Sequence, residues 1–292
     1  MTRTRIGINP LPWYLTADGI RFGRELLPGV YQEVKEVGFD AVQADVPEGM
    51  SAREFRALLS AHGLDPAPGY FSAGFEEPVA EQARRHAAQQ AELGLTEVFV
   101  APAFTPERRA HPAMGHGHDP ARLARMTEHL ATACEAITAE GLRPCLHPHV
   151  GTWIETEQEI RTVLDAVDPA LLAFGPDTGH LHWAGADPVA LVRDYADRIA
   201  AVHIKDVHTA AAVRNTAEAG DYTAATFGHH VWTEPGRGDV DLAGLLAALP
   251  PRFDGWYVIE VDVPDSGGDP KSSAEVSWDW VRTNLTAPEG NR

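Results

Sequence analysis

Histidine, aspartate and glutamate side chains recur where short apolar runs of this sequence end. Asp177, His203 and Glu260 follow or end three such runs, and His147 and His149 end a fourth. Imidazole and carboxylate groups that converge from separate strands are typical ligands of a divalent metal ion. The pattern therefore predicts a metal site at one rim of a sheet.

Eight short apolar runs predict the strands that would position these residues, and an amphipathic segment follows each run. The runs lie at 5–8, 41–46, 64–71, 97–102, 143–149, 171–174, 200–204 and 256–262. Eight such repeats predict the α/β class, as a single-domain (β/α)8 TIM barrel whose chemistry lies at the carboxyl ends of the strands. A dinucleotide-binding fold is disfavoured, because no glycine-rich turn follows the first run.

The barrel domain is expected to span residues 1–285, with a long loop insertion at about 207–240. Long loops on the catalytic face of a barrel shape its pocket, so this insertion is the predicted determinant of specificity. Residues 286–292 are expected to form a flexible C-terminal tail.

Composition narrows the choice of partners. The chain has 292 residues, 44% hydrophobic and 23% charged, and a formal net charge of −18. Such a charge disfavours binding to nucleic acid, which needs clustered lysine and arginine. No apolar stretch is typical of a signal peptide or a membrane helix. We therefore expect a cytoplasmic protein with a small-molecule partner.

Several polar and aromatic residues at predicted strand ends or loops are candidates for contact with that small molecule. Loop tryptophans are also suited to a contact between copies in a homo-oligomer. The predicted substrate-binding residues are Asn9, Trp13, Tyr70, Trp183 and Arg237.

The segment 177–207, DTGHLHWAGADPVALVRDYADRIAAVHIKDV, resembles the inosose (2-keto-myo-inositol) dehydratases of the xylose isomerase-like sugar phosphate isomerase/epimerase superfamily. GINPLPW, LHPHVGTWIETEQEI, PGRGDVD and IEVD resemble the same family, in the same order along the chain. The resemblance implies one divalent ion, with Mn, Co or Mg favoured and Zn or Fe as alternatives. It also implies a keto-sugar or keto-cyclitol substrate.

The resemblance implies metal ligands on strands five to eight. Asp177, His203 and Glu260 match three of them, whereas strand five carries His147 where many relatives have glutamate. We predict His147 as the fourth ligand, and His149 and Glu155 remain alternatives for that position.

The implied reaction is that of a lyase, which removes water from a keto-polyol after α-proton abstraction through a metal-stabilised enediolate. Candidates for the general base are Glu260, His149 and Glu155, while His180 or Lys205 would stabilise the oxyanion or protonate the departing hydroxyl. The alternatives are a keto-sugar isomerase or epimerase that uses the same metal site, and a non-catalytic sugar-binding subunit.

Overall fold

The computed structural model describes residues 4–74, 79–265 and 268–286, and its centre is a ring of parallel strands. The strands are β1 (Arg5–Ile8), β2 (Ala41–Gln43), β3 (Asp65–Ala67 and Tyr70–Ala73), β4 (Glu97–Pro102), β5 (Arg143–Leu146), β6 (Ala173–Phe174), β7 (Ala201–Ile204) and β8 (Trp256–Ile259). The surrounding helices are α1 (Leu27–Val37), α2 (Ala52–Ala61), α3 (Val79–Glu92), α4 (Pro120–Ala139), α5 (Glu157–Ala166), α6 (Pro188–Asp194), α7 (Leu242–Ala248) and α8 (Pro270–Asn284).

The strands form a closed ring. The last strand, β8, pairs in parallel with both β1 and β7. Between β6 and β7, single bridges join Phe174 to Ile199 and Asp177 to His203. The second bridge places Asp177 directly beside His203. The predicted (β/α)8 barrel is confirmed, and a closed barrel leaves no unpaired strand edge.

The third strand is broken, as its prolines predict. Its first segment pairs with β2 and its second with β4, and Gly69 lies at the break. Buried Gln90 of α3 bridges this gap: its Oε1 accepts from Gly69 N at 3.0 Å and its Nε2 donates to Ala44 O at 3.0 Å. A Cβ on Gly69 would lie 2.6 Å from Ala44 O, so the position requires glycine.

Most strands are shorter than predicted, because pairing stops where the chain bends into the loops on the catalytic rim. β2 ends at Gln43, β5 at Leu146 and β8 at Ile259. The polar side chains that follow these strands therefore lie in the first residues of the loops, and tertiary contacts hold them in place.

Further short elements lie at the catalytic rim. They are a 3-10 turn at Leu11–Trp13, a hairpin of Leu15–Thr16 with Gly19–Ile20, helices at Pro106–Ala110, Thr178–Trp183 and Thr209–Ala217, a π-helical turn at Ala224–Gly228, and a strand pair of Asp206–Val207 with Trp232–Thr233. A 3-10 turn at Ala196–Arg198 precedes β7, at the opposite end of the barrel. Within the described ranges, no helix is long and apolar enough to cross a membrane. Apart from Thr286, the predicted tail lies outside the described residues.

Asp206 anchors the segment 207–240 to the barrel. Its carboxylate is buried and accepts hydrogen bonds from four backbone amides, at 2.8 to 3.0 Å. The donors are Val207, Gly236, Gly238 and Val240. Since Asp206 directly follows Lys205, the anchor also fixes the position of that side chain.

Substitution Asp206→Ala is expected to lower the free energy of unfolding by about 3 kcal/mol, because it leaves four amides without their acceptor, those of Val207 and Val240 in buried positions. Urea denaturation followed by circular dichroism measures the loss. Asp239→Ala is the control, since Asp239 caps one amide, that of Thr209, in the same segment. Equal losses in the two variants would contradict the anchoring role of Asp206.

Candidate metal centre and active site

Three buried side chains, His147, Asp177 and His203, meet where β5, β6 and β7 end. Each offers one ligand atom, and these atoms lie within 4.8 Å of one another. His147 Nδ1 lies 3.0 Å from His203 Nδ1, and His147 Nε2 lies 3.9 Å from Asp177 Oδ2. Three predicted donors are thus brought together, because parallel strands of a barrel end at the same rim.

The donor set of this triad fits a divalent cation. Asp177 Oδ2 is buried and has no hydrogen-bond partner, a costly arrangement for a carboxylate. The two Nδ1 atoms, 3.0 Å apart, are close enough for both to bind one ion at the usual ~2.1 Å. Burial raises the pKa of Asp177 to about 8, and an adjacent cation would keep the carboxylate ionised.

A buried ammonium group adjoins the triad. Lys205 Nζ donates to Glu260 Oε1 at 2.6 Å and to Asp262 Oδ1, and lies 3.3 Å from His180 Nε2. Tyr222 donates to the second oxygen of Asp262 at 3.0 Å. Burial alone would lower the pKa of Lys205, but the carboxylates of Asp262 and Glu260 raise it well above its usual value. Lys205 is therefore protonated at neutral pH.

Both oxygens of Glu260 are engaged. Oε1 accepts from Lys205, while Oε2 accepts from Asn9 Nδ2 at 2.6 Å and lies 3.4 Å from His203 Nε2. Burial would raise the pKa of Glu260, but Lys205 and His203 hold it far below its usual range. Ligand atoms of Glu260, Asp177 and His180 also lie within 4.8 Å of one another. Glu260 is an ionised carboxylate beside the triad.

His149 lies at the same rim and is half-buried, with its ring centroid 3.5 Å from that of His180. One ligand atom from each of His147, His149 and His180 lies within 4.8 Å of the others. His149 Nδ1 donates to Val150 O at 2.7 Å, so its Nε2 carries the lone pair. Burial, followed by the charge of Lys205, lowers the pKa of His149 to about 3, and the ring is neutral at neutral pH. It contacts Phe104 and Tyr222, with ring centroids 4.8 and 6.0 Å away, and these two rings line an open cleft of about 430 Å³.

Aromatic rings form the walls of the site. The ring of Tyr70 lies 5.3 Å from that of His147. Trp232 lies under the Lys205 ammonium, 4.2 Å from its ring centroid, and Trp183 packs against Trp232 at 5.1 Å. Of the predicted substrate-binding residues, Asn9 contacts Glu260 and Tyr70 contacts His147, whereas Trp183 packs against Trp232.

Two predicted substrate-binding residues make their contacts elsewhere. Trp13 Nε1 donates to Glu33 at 2.6 Å, on the side of the barrel where α1 packs. Arg237 is exposed and lies 3.7 Å from Glu234. Neither shows a contact with the triad or with Lys205 among the interactions of the described residues.

The structure also places Glu155 in a separate cluster. Its carboxylate accepts from Arg108 Nη1 at 2.7 Å, and from the amides of Gly115 and Gly151 at 2.8 and 2.9 Å. Arg108 also donates to Glu159 at 2.6 Å, and all three charged side chains are buried. With its oxygens so engaged, Glu155 holds the loop after β4 and is not brought to the metal triad.

Two residues at the site were not identified from the sequence. Gln43 Oε1 accepts from His203 Nε2 at 2.9 Å, and Tyr222 contacts Asp262 from the insertion. A glutamine inside the apolar run 41–46 was the available signal for the first. For Tyr222 there was no such signal, because the sequence around it shows neither strand nor helix periodicity.

This barrel with a histidine and aspartate triad at its carboxyl rim is matched over residues 31–284 by the family model of the xylose isomerase-like TIM barrel. The chain belongs to that family. The inosose dehydratase of Geobacillus kaustophilus (strain HTA426) is 25% identical over 291 residues, which cover 95% of this chain and 93% of the relative. The resemblance inferred from the sequence motifs is confirmed.

Solved structures share the fold. An L-ribulose 3-epimerase superimposes with a TM-score of 0.69 at 16% identity, covering 97% of this chain and 95% of its own. The IOLI protein with a binding zinc atom gives 0.68 at 13% identity, covering 97% and 100%. With the family and the full-length relative, the prediction of an enzyme of the dehydratase or isomerase/epimerase type is confirmed.

Substitution Arg108→Met is expected to lower the free energy of unfolding by about 3–5 kcal/mol at pH 8, because it leaves two buried carboxylates without their cation. Burial tends to raise the pKa of Glu159, but Arg108 and His118 lower it overall, so its contribution to stability is present at neutral pH and is lost on acidification. In the variant these carboxylates gain a raised pKa, and acidification relieves the penalty. The difference in unfolding free energy between the parent and Arg108→Met should therefore be smaller at pH 5 than at pH 8, as measured by urea denaturation.

Arg122→Met is the matched control, since Arg122 also stacks on Trp153, at 3.8 Å against 4.6 Å for Arg108. The unfolding free energy of Arg122→Met should fall by no more than about 1 kcal/mol, as is usual for half-exposed charges. A pH-independent loss in Arg108→Met would show that packing, and not charge, is what Arg108 contributes.

Proposed function

We propose that this protein is a divalent-metal-dependent dehydratase that removes water from a keto-polyol of the inosose type. The observation that carries the proposal is that a neutral, half-buried His149 and a buried Lys205 ammonium both contact His180, beside a triad that fits a cation. An elimination needs a base for the α-proton and an acid for the departing hydroxyl. The full-length likeness to an inosose dehydratase supports the substrate class.

His147, Asp177 and His203 are the proposed metal ligands, with Glu260 next to them as the fourth. A bound divalent ion would supply Lewis-acid polarisation of the substrate carbonyl. Mn, Co or Mg are the proposed ions, with Zn or Fe as alternatives, since imidazole and carboxylate donors suit all of them to different degrees. Asn9 holds Glu260 in place through the 2.6 Å hydrogen bond to Oε2.

His149 is the proposed general base. Its Nε2 lone pair is available because Nδ1 donates to Val150 O. Its ring contacts Phe104 and Tyr222, which line the open cleft through which a substrate would enter. A proton taken from the carbon next to the carbonyl would pass to Nε2. Glu260, the other base candidate at this rim, is the proposed fourth ligand, and a carboxylate that lies beside a metal cation and the Lys205 ammonium is a weaker base.

Lys205 is the proposed acid. As the α-proton moves to His149, the carbon–oxygen bond at the β-position breaks, and the hydroxyl leaves as water with a proton from the ammonium. His180, 3.3 Å from Lys205 Nζ, is placed to orient that group. Trp232 closes the other side of the ammonium and keeps bulk water from it.

An isomerase or epimerase would use the same cation without a leaving group. Epimerisation needs a base and an acid on opposite faces of one carbon. Two carboxylates, one on each face, would suit that task, but the loop after β5 carries His147 and His149 in place of a carboxylate. A non-catalytic sugar-binding subunit would have no use for an ammonium held protonated beside a neutral base.

Incubation of the enzyme with 2-keto-myo-inositol in deuterated water is expected to give a product lighter by one water, detected by mass spectrometry. Treatment with a chelator should reduce the rate by about 100-fold or more, and added Mn²⁺ or Co²⁺ should restore it. Label incorporation without loss of mass would identify an isomerase. Unchanged activity after verified metal removal would refute the metal-dependent mechanism.

Substitution His149→Gln is expected to lower kcat by ~10²–10⁴-fold with a small change in KM, because it removes the base but keeps the size of the side chain. Metal affinity, measured by calorimetry, should stay within about threefold of the parent. His182→Gln is the control, since His182 lies on the next helix and contacts Thr209 instead. A loss of metal binding in His149→Gln would instead make His149 a ligand.

A further inference from the structure

A hydrogen-bonded chain runs from the end of β2 to the metal triad. Asp45 Oδ2 accepts from Gln43 Nε2 at 2.9 Å, and Gln43 Oε1 accepts from His203 Nε2 at 2.9 Å. Gln43 and His203 are buried, with 4% and 0% exposure, so water does not compete for these bonds. His203 Nδ1, at the opposite end of the ring, faces His147 Nδ1 at 3.0 Å.

The chain fixes which nitrogen of His203 carries the proton. A carboxylate only accepts, so Asp45 turns the amide nitrogen of Gln43 toward itself and the amide oxygen toward His203. An amide oxygen also only accepts, and the ring must therefore carry its proton on Nε2. Glu260 Oε2, 3.4 Å from the same nitrogen, is a second acceptor and favours the same form.

The consequence concerns the metal triad. With the proton on Nε2, the lone pair of the neutral ring lies on Nδ1, the atom that points toward His147. A ligand histidine binds through its unprotonated nitrogen, and the partner of the other nitrogen sets which one that is. Phe99, whose ring centroid lies 4.1 Å from that of His203, limits rotation of the ring.

We propose that Gln43 is a positioning residue that, held by Asp45, presents His203 Nδ1 to the metal ion. The proposal rests on the metal site of the proposed function but concerns residues outside the ligand set. Gln43 touches neither the ion nor the substrate. It acts through His203, and its removal should change metal affinity before it changes anything else.

Metal binding is the direct test, with Co²⁺ as the probe of the purified, metal-stripped protein. Gln43→Leu removes the 2.9 Å acceptor and is expected to weaken Co²⁺ affinity by about 10-fold or more, in the range usual for such partners of ligand histidines. Gln43→Glu keeps an acceptor for His203 Nε2, although it loses the donor to Asp45, and should bind Co²⁺ at least threefold more tightly than Gln43→Leu. Calorimetry and the visible absorption of bound Co²⁺ provide the two readouts.

These variants separate positioning from packing. If Gln43→Leu binds Co²⁺ as tightly as the parent, the proposal is wrong. If both variants lose affinity equally, the side chain acts through its volume and the proposal also fails. Thermal unfolding of the metal-free variants, expected within a few degrees of the parent, shows that a loss of affinity is not a loss of fold.

The protonation form of His203 can be read without a metal or a new variant at position 43. In metal-free protein labelled with ¹⁵N-histidine, two-bond proton–nitrogen correlations, assigned by comparison with His203→Gln, should show the proton on Nε2. A proton on Nδ1 would overturn the proposal. If the parent protein binds no divalent ion, the proposed function fails instead, while this spectrum still tests what Gln43 does.

Discussion

Charge balance at the carboxyl rim is the constraint on which the site depends. Asp177, Glu260 and Asp262 are buried together, and Lys205 supplies one positive charge against three carboxylates. Buried charges persist only where partners compensate them. Lys205 satisfies Glu260 and Asp262, which leaves Asp177 with an oxygen lacking a partner. The remaining negative charge is what a divalent ion between the histidines would neutralise.

The backbone places these charges with little freedom. The bridge between Asp177 and His203 that closes the barrel fixes two donors relative to each other. Thr178 fixes a third group, because its hydroxyl donates to the carbonyl of Lys205 at 2.6 Å and accepts from its amide at 2.8 Å. The barrel therefore sets the spacing of the polar groups before their side chains make any contact.

The sequence predicted those parts of the molecule that depend on short-range order. Eight apolar runs predicted the barrel, and the polar residues at the ends of those runs, such as His147 and His203, predicted its rim. It did not predict contacts between distant segments. The bond from Tyr222 to Asp262 joins residues 40 apart, and the ion pair of Arg108 with Glu155 joins residues 47 apart. Glu155 was a candidate base because nothing in the sequence indicates that Arg108 is its buried partner.

The anchoring of the insertion by Asp206 bears on how this pocket can evolve. The carboxylate accepts from backbone amides, which every residue except proline provides, so exposed side chains between 207 and 240 can vary without loss of the anchor. Gly238 is an exception, since a Cβ there would lie 2.4 Å from Asp206 Oδ1. The exposed part of this segment can therefore change while the ammonium of Lys205 keeps its place. Tyr222 and Trp232, which contact Asp262 and Lys205 from the same segment, do not share that freedom.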